Sequence, residues 1–198
     1  MIVWMNGAFG AGKTQTAFEL HRRIPHSFVF DPENAGFYIR RNVPDAAMRD
    51  DFQDYPMWRE TNYGMLRYIA SNYDGVVLVP MTIVHPPYFE EIAGRLRRDG
   101  IAVHHFALCA SKDTLLRRLH SRGDGESSWA ARQIDRCVEG LRDETFRHHL
   151  DTDGLSVQDT VERIAALASL ELLPDDRGPL RRRWDRLRTQ WSHIRFFQ

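Results

Sequence analysis

The residues with the clearest chemical meaning form a glycine-rich segment near the amino terminus. The segment runs Gly7-Ala8-Phe9-Gly10-Ala11-Gly12-Lys13-Thr14 and matches the pattern G-x-x-x-x-G-K-[ST] of a phosphate-binding P-loop. Glycines let successive backbone N–H groups turn toward phosphate oxygens. The ammonium of Lys13 would reach the β- and γ-phosphates and assist catalysis, and the hydroxyl of Thr14 would hold Mg²⁺. The pattern therefore predicts that the whole segment binds a nucleotide.

The flanking sequence favours the same interpretation. Ile2-Val3-Trp4-Met5 is a short apolar run typical of a buried parallel strand, and the periodicity from Thr14 to Arg23 predicts a helix that Pro25 ends. A helix in this place directs the positive end of its dipole at the phosphates. Lysine usage is also informative, because the chain has 25 arginines and only two lysines, and one lysine lies where the motif requires it.

Asp31 is the first acidic candidate. It follows a second short apolar strand, Phe28-Val29-Phe30, and lies 18 residues after Lys13. The carboxyl ends of parallel strands bind the ligands in such folds, so Asp31 would lie beside the P-loop if the first two strands are close in the sheet. It would then accept a proton from an acceptor hydroxyl, or hold Mg²⁺ directly or through water. The alternative is that Asp31 only caps a helix that starts near Asn34.

The middle of the chain indicates the class of P-loop protein. Residues 37–58 mix aromatic and charged residues with two prolines, which predicts either a helical cap over the phosphate site or an irregular connection packed on its own aromatics. The next strand, Val76-Val77-Leu78-Val79, runs into Pro80-Met81-Thr82 without the Asp that holds Mg²⁺ in many P-loop proteins. This absence argues against motor and GTPase machinery and favours small-molecule kinases. Thr82 and His85 are further candidates for lining the site.

Arginines around a glycine break predict a lid. Helical patterns at 111–122 and from Ser127 or Ser128 to Leu141 flank Gly123-Asp124-Gly125, which places a lid at about 118–142. An arginine in such a lid neutralises charge that grows during phosphoryl transfer. Arg118, Arg122 and Arg132 are the catalytic candidates, and solvated arginine faces are the alternative.

Strands and helices alternate along the chain, which predicts an α/β fold with a doubly wound parallel sheet of about five strands. Residues 146–151 would supply the fifth strand, and Ser156 with Asp159 forms a capping box for a helix to Leu172. The net charge is zero, so no global field attracts nucleic acid. With no signal peptide or transmembrane run, and with Cys109 and Cys137 in no metal or redox spacing, we expect a cytoplasmic protein.

The carboxyl terminus has a different composition. Residues 1–173 would form the nucleotide-binding domain, residues 174–179 have the composition of a linker, and residues 180–198 carry six arginines against one acid. On a helical wheel one narrow arc collects the apolar residues Leu180, Trp184, Leu187, Trp191 and Ile194, with Arg195 among the arginines elsewhere. Such a helix either lies peripherally on the inner face of the membrane or packs on the domain or on a second subunit, as in a homodimer.

With these features in place, the chain resembles the ATP-binding tunicamycin-resistance proteins of the TmrB type. The resemblance rests on five blocks of sequence: NGAFG at residues 6–10, QTAFEL at 15–20, VPMTIVHP at 79–86, SWAA at 128–131 and QIDRCVEGL at 133–141. It implies an ATP-binding domain of the nucleoside- and shikimate-kinase type, similar to chloramphenicol phosphotransferase, with ATP and Mg²⁺ as cofactors. It also implies protection against tunicamycin, a nucleoside antibiotic with a fatty acyl tail. Asp31 matches the catalytic Asp of the chloramphenicol enzymes, although the residues around it differ.

Two functions follow from the resemblance and the motifs. The first is a kinase that transfers the γ-phosphoryl of Mg-ATP to a hydroxyl of tunicamycin or a similar nucleoside. The second is an ATP-dependent protein that binds and sequesters the drug at the membrane surface without modifying it.

Overall fold

The computed structural model describes residues 1–125 and 127–192, without the side chains of Arg183 and of residues 190–192. A five-stranded parallel sheet forms its centre, in the order β2-β3-β1-β4-β5. The strands are β1 (Ile2–Gly7), β2 (Ser27–Val29), β3 (Val76–Pro80), β4 (Val103–Cys109) and β5 (His149–Asp151). The predicted fold class is therefore confirmed.

The central strand β1 explains why its sequence is apolar throughout. It pairs with β3 and β4, with Ile2 opposite both Val77 and Val103, and all six of its residues are buried. Val3 and Met5 face one core, whereas Ile2 and Trp4 face a second core on the other side of the sheet. Because helices cover both faces, the strand reads as a continuous hydrophobic run rather than an alternating one.

Ten helices surround the sheet within the part of the chain that is described. Their bounds are α1 (Lys13–Arg23), α2 (Glu33–Asn42), α3 (Pro56–Asn72), α4 (Pro86–Phe89), α5 (Arg95–Arg98), α6 (Lys112–His120), α7 (Trp129–Arg132), α8 (Ile134–Gly140), α9 (Val157–Leu167) and α10 (Pro179–Ser192). A π-helical turn, Glu90–Gly94, joins α4 to α5, and short 3₁₀ turns cover Asp45–Ala47, Phe52–Asp54 and Glu144–Phe146. None of these described helices combines the length and apolar composition required to cross a membrane.

The segment that was predicted to be either a helical cap or an irregular connection has features of both. Residues 37–42 belong to α2, and 3₁₀ turns with irregular chain follow up to Pro56. Gly36 lets the ring of Phe52 pack directly on α2, because a Cβ there would lie 2.5 Å from the ring. On α3, Leu66 is buried, whereas its neighbour Met65 is 47% exposed.

The carboxyl-terminal elements are shorter than predicted. The fifth strand begins at His149 rather than at Phe146, because Phe146 belongs to a 3₁₀ turn and residues 147–148 are irregular. The second lid helix breaks at Gln133 into α7 and α8, and α9 ends at Leu167 rather than Leu172. Its predicted capping box is confirmed, since Ser156 accepts from the backbone of Asp159 and the Asp159 carboxylate accepts from the backbone of Ser156.

The carboxyl-terminal helix α10 packs against α1, but not through its apolar face. Leu180, Trp184 and Leu187 are 84%, 68% and 43% exposed, whereas Thr189 on the opposite side is buried. The predicted apolar arc therefore points away from the domain as far as it is described. The side chain of Trp191, and Ile194 and Arg195, belong to the part of the predicted helix that lies outside the described residues.

Candidate active site

The P-loop connects the end of β1 to the start of α1, as the motif predicts. Gly7 and Gly10 have φ angles of 152° and 86°, in the region that favours glycine. A Cβ at Gly7 would lie 2.8 Å from the carbonyl oxygen of Leu108, and one at Gly10 would lie 2.9 Å from that of Leu115. β4 and α6 thus press on the loop from one side, and only glycine fits at these two positions.

Lys13 folds back onto the loop that carries it. Its Nζ donates to the carbonyl oxygens of Gly7, at 2.9 Å, and of Ala8, at 3.0 Å. Burial of the ammonium lowers the pKa of Lys13 to about 8, although the thiol of Cys137 and the carboxylate of Glu33 act in the opposite direction. The lysine is therefore close to the loop backbone, where an arriving phosphate would meet it.

A buried asparagine that sequence reasoning missed fixes the loop to the segment that follows β3. The Asn6 side chain accepts from the backbone of Gly7 and of Ile83, and donates 2.7 Å to the carbonyl oxygen of Ile83. The predicted candidate Thr82 adds a hydrogen bond of 2.8 Å from its hydroxyl to the carbonyl oxygen of Gly7. His85, by contrast, contacts the ring of Tyr88 in a tilted arrangement, with ring centroids 4.3 Å apart.

Two adjoining cavities open at the carboxyl edge of the sheet. The smaller, about 120 Å³, is lined by Lys13, Thr14, Asp31, Glu33 and Arg122 among others, which is the chemistry of a phosphate and metal site. The larger, about 410 Å³, has the aromatic side chains Phe9, Phe37, Phe52 and Trp129 in its walls, together with Arg40, Asp51, Gln53, Thr82 and Arg136. The two cavities adjoin along a shared wall, which is formed by Phe9, Gly10, Thr14, Glu33 and Arg122.

Asp31 lies beside the P-loop even though β3 separates β1 from β2 in the sheet. Its Oδ1 accepts from the backbone N–H of Glu33 at 3.0 Å, at the start of α2. It also lines the smaller cavity with Lys13. The capping interpretation and the functional interpretation of Asp31 are therefore compatible. Glu33, which sequence reasoning missed, lines both cavities, and its position two residues after Asp31 was the available signal.

The three predicted lid arginines lie in different surroundings. Arg122 lines both cavities, and burial lowers the pKa of its guanidinium. Arg118 instead donates 2.7 Å to the carbonyl oxygen of Thr152, and Arg132 bonds the carbonyl oxygen of Ser127. The structure brings Arg122 to the phosphate cavity and does not bring Arg118 or Arg132 there.

A fourth arginine of the lid region, Arg136, lines the larger cavity. Its Nη2 lies 3.3 Å from the Oδ2 of Asp51, which in turn accepts from the backbone of Gln53 through Oδ1. The pair thus connects α8 to the segment between α2 and α3. Arg136 lies one helical turn after Arg132, so the sequence offered both residues without distinguishing them.

The oxygen donors of the smaller cavity fit Mg²⁺. A hydroxyl, from Thr14, and the carboxylates of Asp31 and Glu33 line it, and hard oxygen ligands of this kind suit the ion. The described residues contain no cluster of three or more His, Cys, Asp or Glu arranged to bind a metal. Mg²⁺ usually keeps one or two protein ligands beside phosphate oxygens and water, and the oxygen ligands of this cavity match that requirement.

Comparison with known proteins agrees with this geometry. The sequence profile described as "AAA domain" matches residues 2–143. The structure of the tunicamycin resistance protein of Deinococcus radiodurans is 37% identical to this chain, with a TM-score of 0.75, and the match covers 88% of this chain and 98% of that one. A search of curated proteins found no match.

Two more distant structures show the same fold. A shikimate kinase from Bacteroides thetaiotaomicron is 18% identical over 86% of this chain and 99% of its own, with a TM-score of 0.59. The APS kinase CysC of Mycobacterium tuberculosis, solved with AMPPNP and APS, is 17% identical over 85% of this chain and 96% of its own, also with a TM-score of 0.59. These likenesses concern the kinase-type P-loop fold. The chain belongs to the AAA-domain family of P-loop proteins and, within it, to the tunicamycin-resistance proteins.

Proposed function

We propose that the protein is a small-molecule kinase that transfers the γ-phosphoryl group of Mg-ATP to a hydroxyl of tunicamycin or a similar nucleoside. One observation carries the proposal: a phosphate-type cavity and an aromatic cavity adjoin and share Thr14, Glu33 and Arg122. A kinase needs a donor site and an acceptor site that meet at the transferred group. A cytoplasmic location, where Mg-ATP is available, is part of the proposal.

On the donor side, the P-loop backbone and Lys13 would bind the β- and γ-phosphates. Thr14 would hold Mg²⁺ directly and Asp31 would hold it through water, which leaves the Asp31 carboxylate able to accept a proton; the bound ion neutralises phosphate charge. Arg122, at the boundary of the two cavities, is placed to stabilise negative charge that develops on the transferred group. The role of Arg118 and Arg132 stays a prediction, because their side chains bond elsewhere.

On the acceptor side, the aromatic walls of the larger cavity suit the base of a nucleoside. Phe9 and Trp129 already meet edge to face with centroids 5.0 Å apart. The acceptor hydroxyl oxygen forms a new bond to the γ-phosphorus while the bond from that phosphorus to the β–γ bridging oxygen breaks, which leaves ADP. The hydroxyl proton passes to the carboxylate of Asp31.

Mass spectrometry of tunicamycin after incubation with the protein and Mg-ATP tests the proposal. We expect the drug to gain one phosphoryl group. No gain should occur with a non-hydrolysable ATP analogue, nor with the Lys13→Ala variant. Unmodified tunicamycin recovered from a protein that binds both ATP and the drug would refute the transfer and favour sequestration.

Sequestration at the membrane is the second candidate, and the exposed apolar face of α10 favours it. Leu180, Trp184 and Leu187 point to solvent, and the neighbouring Arg181 and Arg188 are exposed as well. Each arginine near an anionic lipid surface contributes about 1 kcal/mol, and salt screens the attraction.

Co-sedimentation with phosphatidylglycerol vesicles at low and high salt tests this membrane contact. The intact protein should bind at low salt, and the double variant Leu180→Ala/Trp184→Ala should bind much less. Equal sedimentation of the two proteins would remove the membrane contact. If the same apolar face instead forms a homodimer, analytical ultracentrifugation should show a mass that depends on protein concentration and on Trp184.

A further inference from the structure

The carboxyl-terminal helix has a polar inner face. Arg182, Asp185, Arg186 and Thr189 follow one another at helical spacing and are all partly or fully buried, whereas Leu180, Trp184 and Leu187 lie on the outer side. If the helix packs on the domain, the periodicity of its apolar residues predicts contact through the apolar face, which is the face that lies outside here. A polar face can pack instead when the domain offers matching hydrogen-bond and charge partners, and α1 offers them.

Two of these partners lie on α1, immediately after the P-loop. Gln15 donates from Nε2 to the carbonyl oxygen of Arg186 at 3.0 Å, and Arg22 donates to the hydroxyl of Thr189 at 3.3 Å. Gln15 lies two residues after Lys13 and lines the larger cavity. Docking of α10 therefore places the helix at the edge of the cavity that the proposed function assigns to the acceptor.

Thr189 connects α10 to the larger cavity directly, because it lines that cavity and is only 7% exposed. It faces a space whose other walls come from the P-loop, α2 and the lid region, including Phe9, Phe37 and Trp129. The helix that the sequence sets apart as an appendage thus contributes a side chain to the same cavity as the catalytic segments.

An ionic network holds the start of the helix in place. Arg177 bonds the carboxylates of Asp175 at 2.6 Å, of Asp185 at 2.8 Å and of Glu19 on α1, and the Glu19 side chain is 3% exposed. Arg182 adds a contact of 2.9 Å to Asp175. Because the network joins the linker, α10 and α1, the helix is docked at both its first turns and its Thr189 end.

We infer that α10 is a wall of the acceptor cavity and that Thr189 limits which acceptors fit there. The inference rests on the proposed function only in naming the occupant of the cavity, a nucleoside-type acceptor. An acceptor larger than the cavity must then either displace α10 or extend out of the cavity past the helix. Acceptor binding is consequently coupled to the docking of the helix, whereas nucleotide binding at the smaller cavity is not.

Thiol labelling tests the wall without any ligand. The variants Thr189→Cys and Leu187→Cys place a thiol on the inner and the outer side of the same helix, and peptide mass spectrometry separates their labelling from that of Cys109 and Cys137. We expect the thiol of Thr189→Cys to react with a maleimide at least about tenfold more slowly, because a buried group reacts only after local opening. Equal rates would overturn the inference.

Calorimetry with tunicamycin and with Mg-ATP then tests the role of Thr189. Thr189→Trp should raise the Kd for tunicamycin by about tenfold or more, because the added ring fills space in the cavity, while the Kd for Mg-ATP stays within about twofold. Thr189→Val keeps the shape of the side chain and should bind tunicamycin nearly as the parent does. Leu187→Ala, on the outer side, should change neither Kd.

The outcomes separate the inference from the proposed function. An unchanged tunicamycin Kd in a folded Thr189→Trp protein would overturn the role of Thr189 in acceptor choice. A parent that binds Mg-ATP but no tunicamycin, with slow labelling of Thr189→Cys retained, would refute the proposed acceptor and still support α10 as the wall. A Thr189→Trp protein that phosphorylates tunicamycin as well as the parent would contradict the inference while supporting the kinase.

Discussion

Replacing Arg177 tests how strongly the carboxyl-terminal helix is held. Arg177→Met keeps much of the side-chain volume but removes the charge that contacts Glu19, Asp175 and Asp185. Asp175 retains Arg182 at 2.9 Å, whereas Glu19, with a side chain 3% exposed, retains only Arg22 at 3.8 Å among the described residues. The main cost is therefore a buried carboxylate that has lost its closest partner.

The burial of Glu19 sets the expected loss in the free energy of unfolding of Arg177→Met. Breaking a buried ion pair by removing one partner costs about 3–5 kcal/mol. Because Arg177 is 17% exposed and Arg22 remains near Glu19, we expect the lower end, about 3 kcal/mol. With a urea m-value of about 2 kcal/mol/M, the unfolding midpoint should fall by about 1.5 M. The exposed Arg181→Met control should change the free energy of unfolding by less than about 0.5 kcal/mol.

A double-mutant cycle shows whether the loss of stability in Arg177→Met comes from the unpaired carboxylate of Glu19. We expect Glu19→Gln/Arg177→Met to be more stable than the sum of the single changes implies, by about 1–3 kcal/mol. Urea unfolding of the four proteins at neutral pH gives this coupling directly. Additive losses would show that the two side chains do not interact, and a loss below about 1 kcal/mol in Arg177→Met would show that the network contributes little.

Three further predictions concern the site. Above pH 8 the affinity for ATP should fall, by up to about tenfold per pH unit, because burial lowers the pKa of free Lys13 to about 8 while bound phosphates favour its charged form. Calorimetry from pH 6 to 9.5 checks this, and a flat profile would contradict it. Asp31→Asn should lower the rate of ATP consumption with acceptor present by about 10²-fold with little change in ATP affinity, and an unchanged rate would refute the role of Asp31 in catalysis. Arg122→Ala should lower that rate by about 10²-fold. The same change at Arg118 or Arg132 should lower it less, and equal losses at the three positions would contradict the placement of Arg122.

The conformation of the P-loop and the position of Asp31 beside it were predictable from the sequence, because the features that set them are local. The P-loop binds through consecutive backbone groups, and Gly7 and Gly10 meet β4 and α6 in conformations that only glycine adopts easily. Asp31 was identified from its place at a strand end, and the parallel sheet brings that end to the loop even with β3 between the two strands. Both features follow directly after the end of a strand, and the sequence pattern indicates where each of these strands ends.

Side-chain direction was less predictable. The chain has 25 arginines, and whether one reaches phosphate depends on tertiary neighbours, such as the carbonyl oxygen of Thr152 that engages Arg118. Asn6 lies in one of the blocks that carry the family resemblance, but no pattern assigns a role to its side chain, because that role arises from the approach of Ile83. The packing face of α10 was obscured for the same reason. Apolar periodicity identifies two faces of a helix, but here hydrogen bonds from α1 to α10, together with the ion pair of the linker residue Arg177 with α1, decide which face packs.

Titration of Mg-ATP into the parent, Lys13→Ala and Lys112→Ala proteins tests the central claim most directly, because these are the two lysines of the chain. Lys112 lies on α6 and pairs with Asp135 at 2.8 Å, away from both cavities, so it is a matched control. Hydrogen bonds to charged groups contribute about 1.5–3 kcal/mol, so Lys13→Ala should weaken Mg-ATP binding roughly 10- to 100-fold. Lys112→Ala should bind as the parent does. Parent affinity retained in a folded Lys13→Ala protein would contradict the assignment of this site to nucleotide binding.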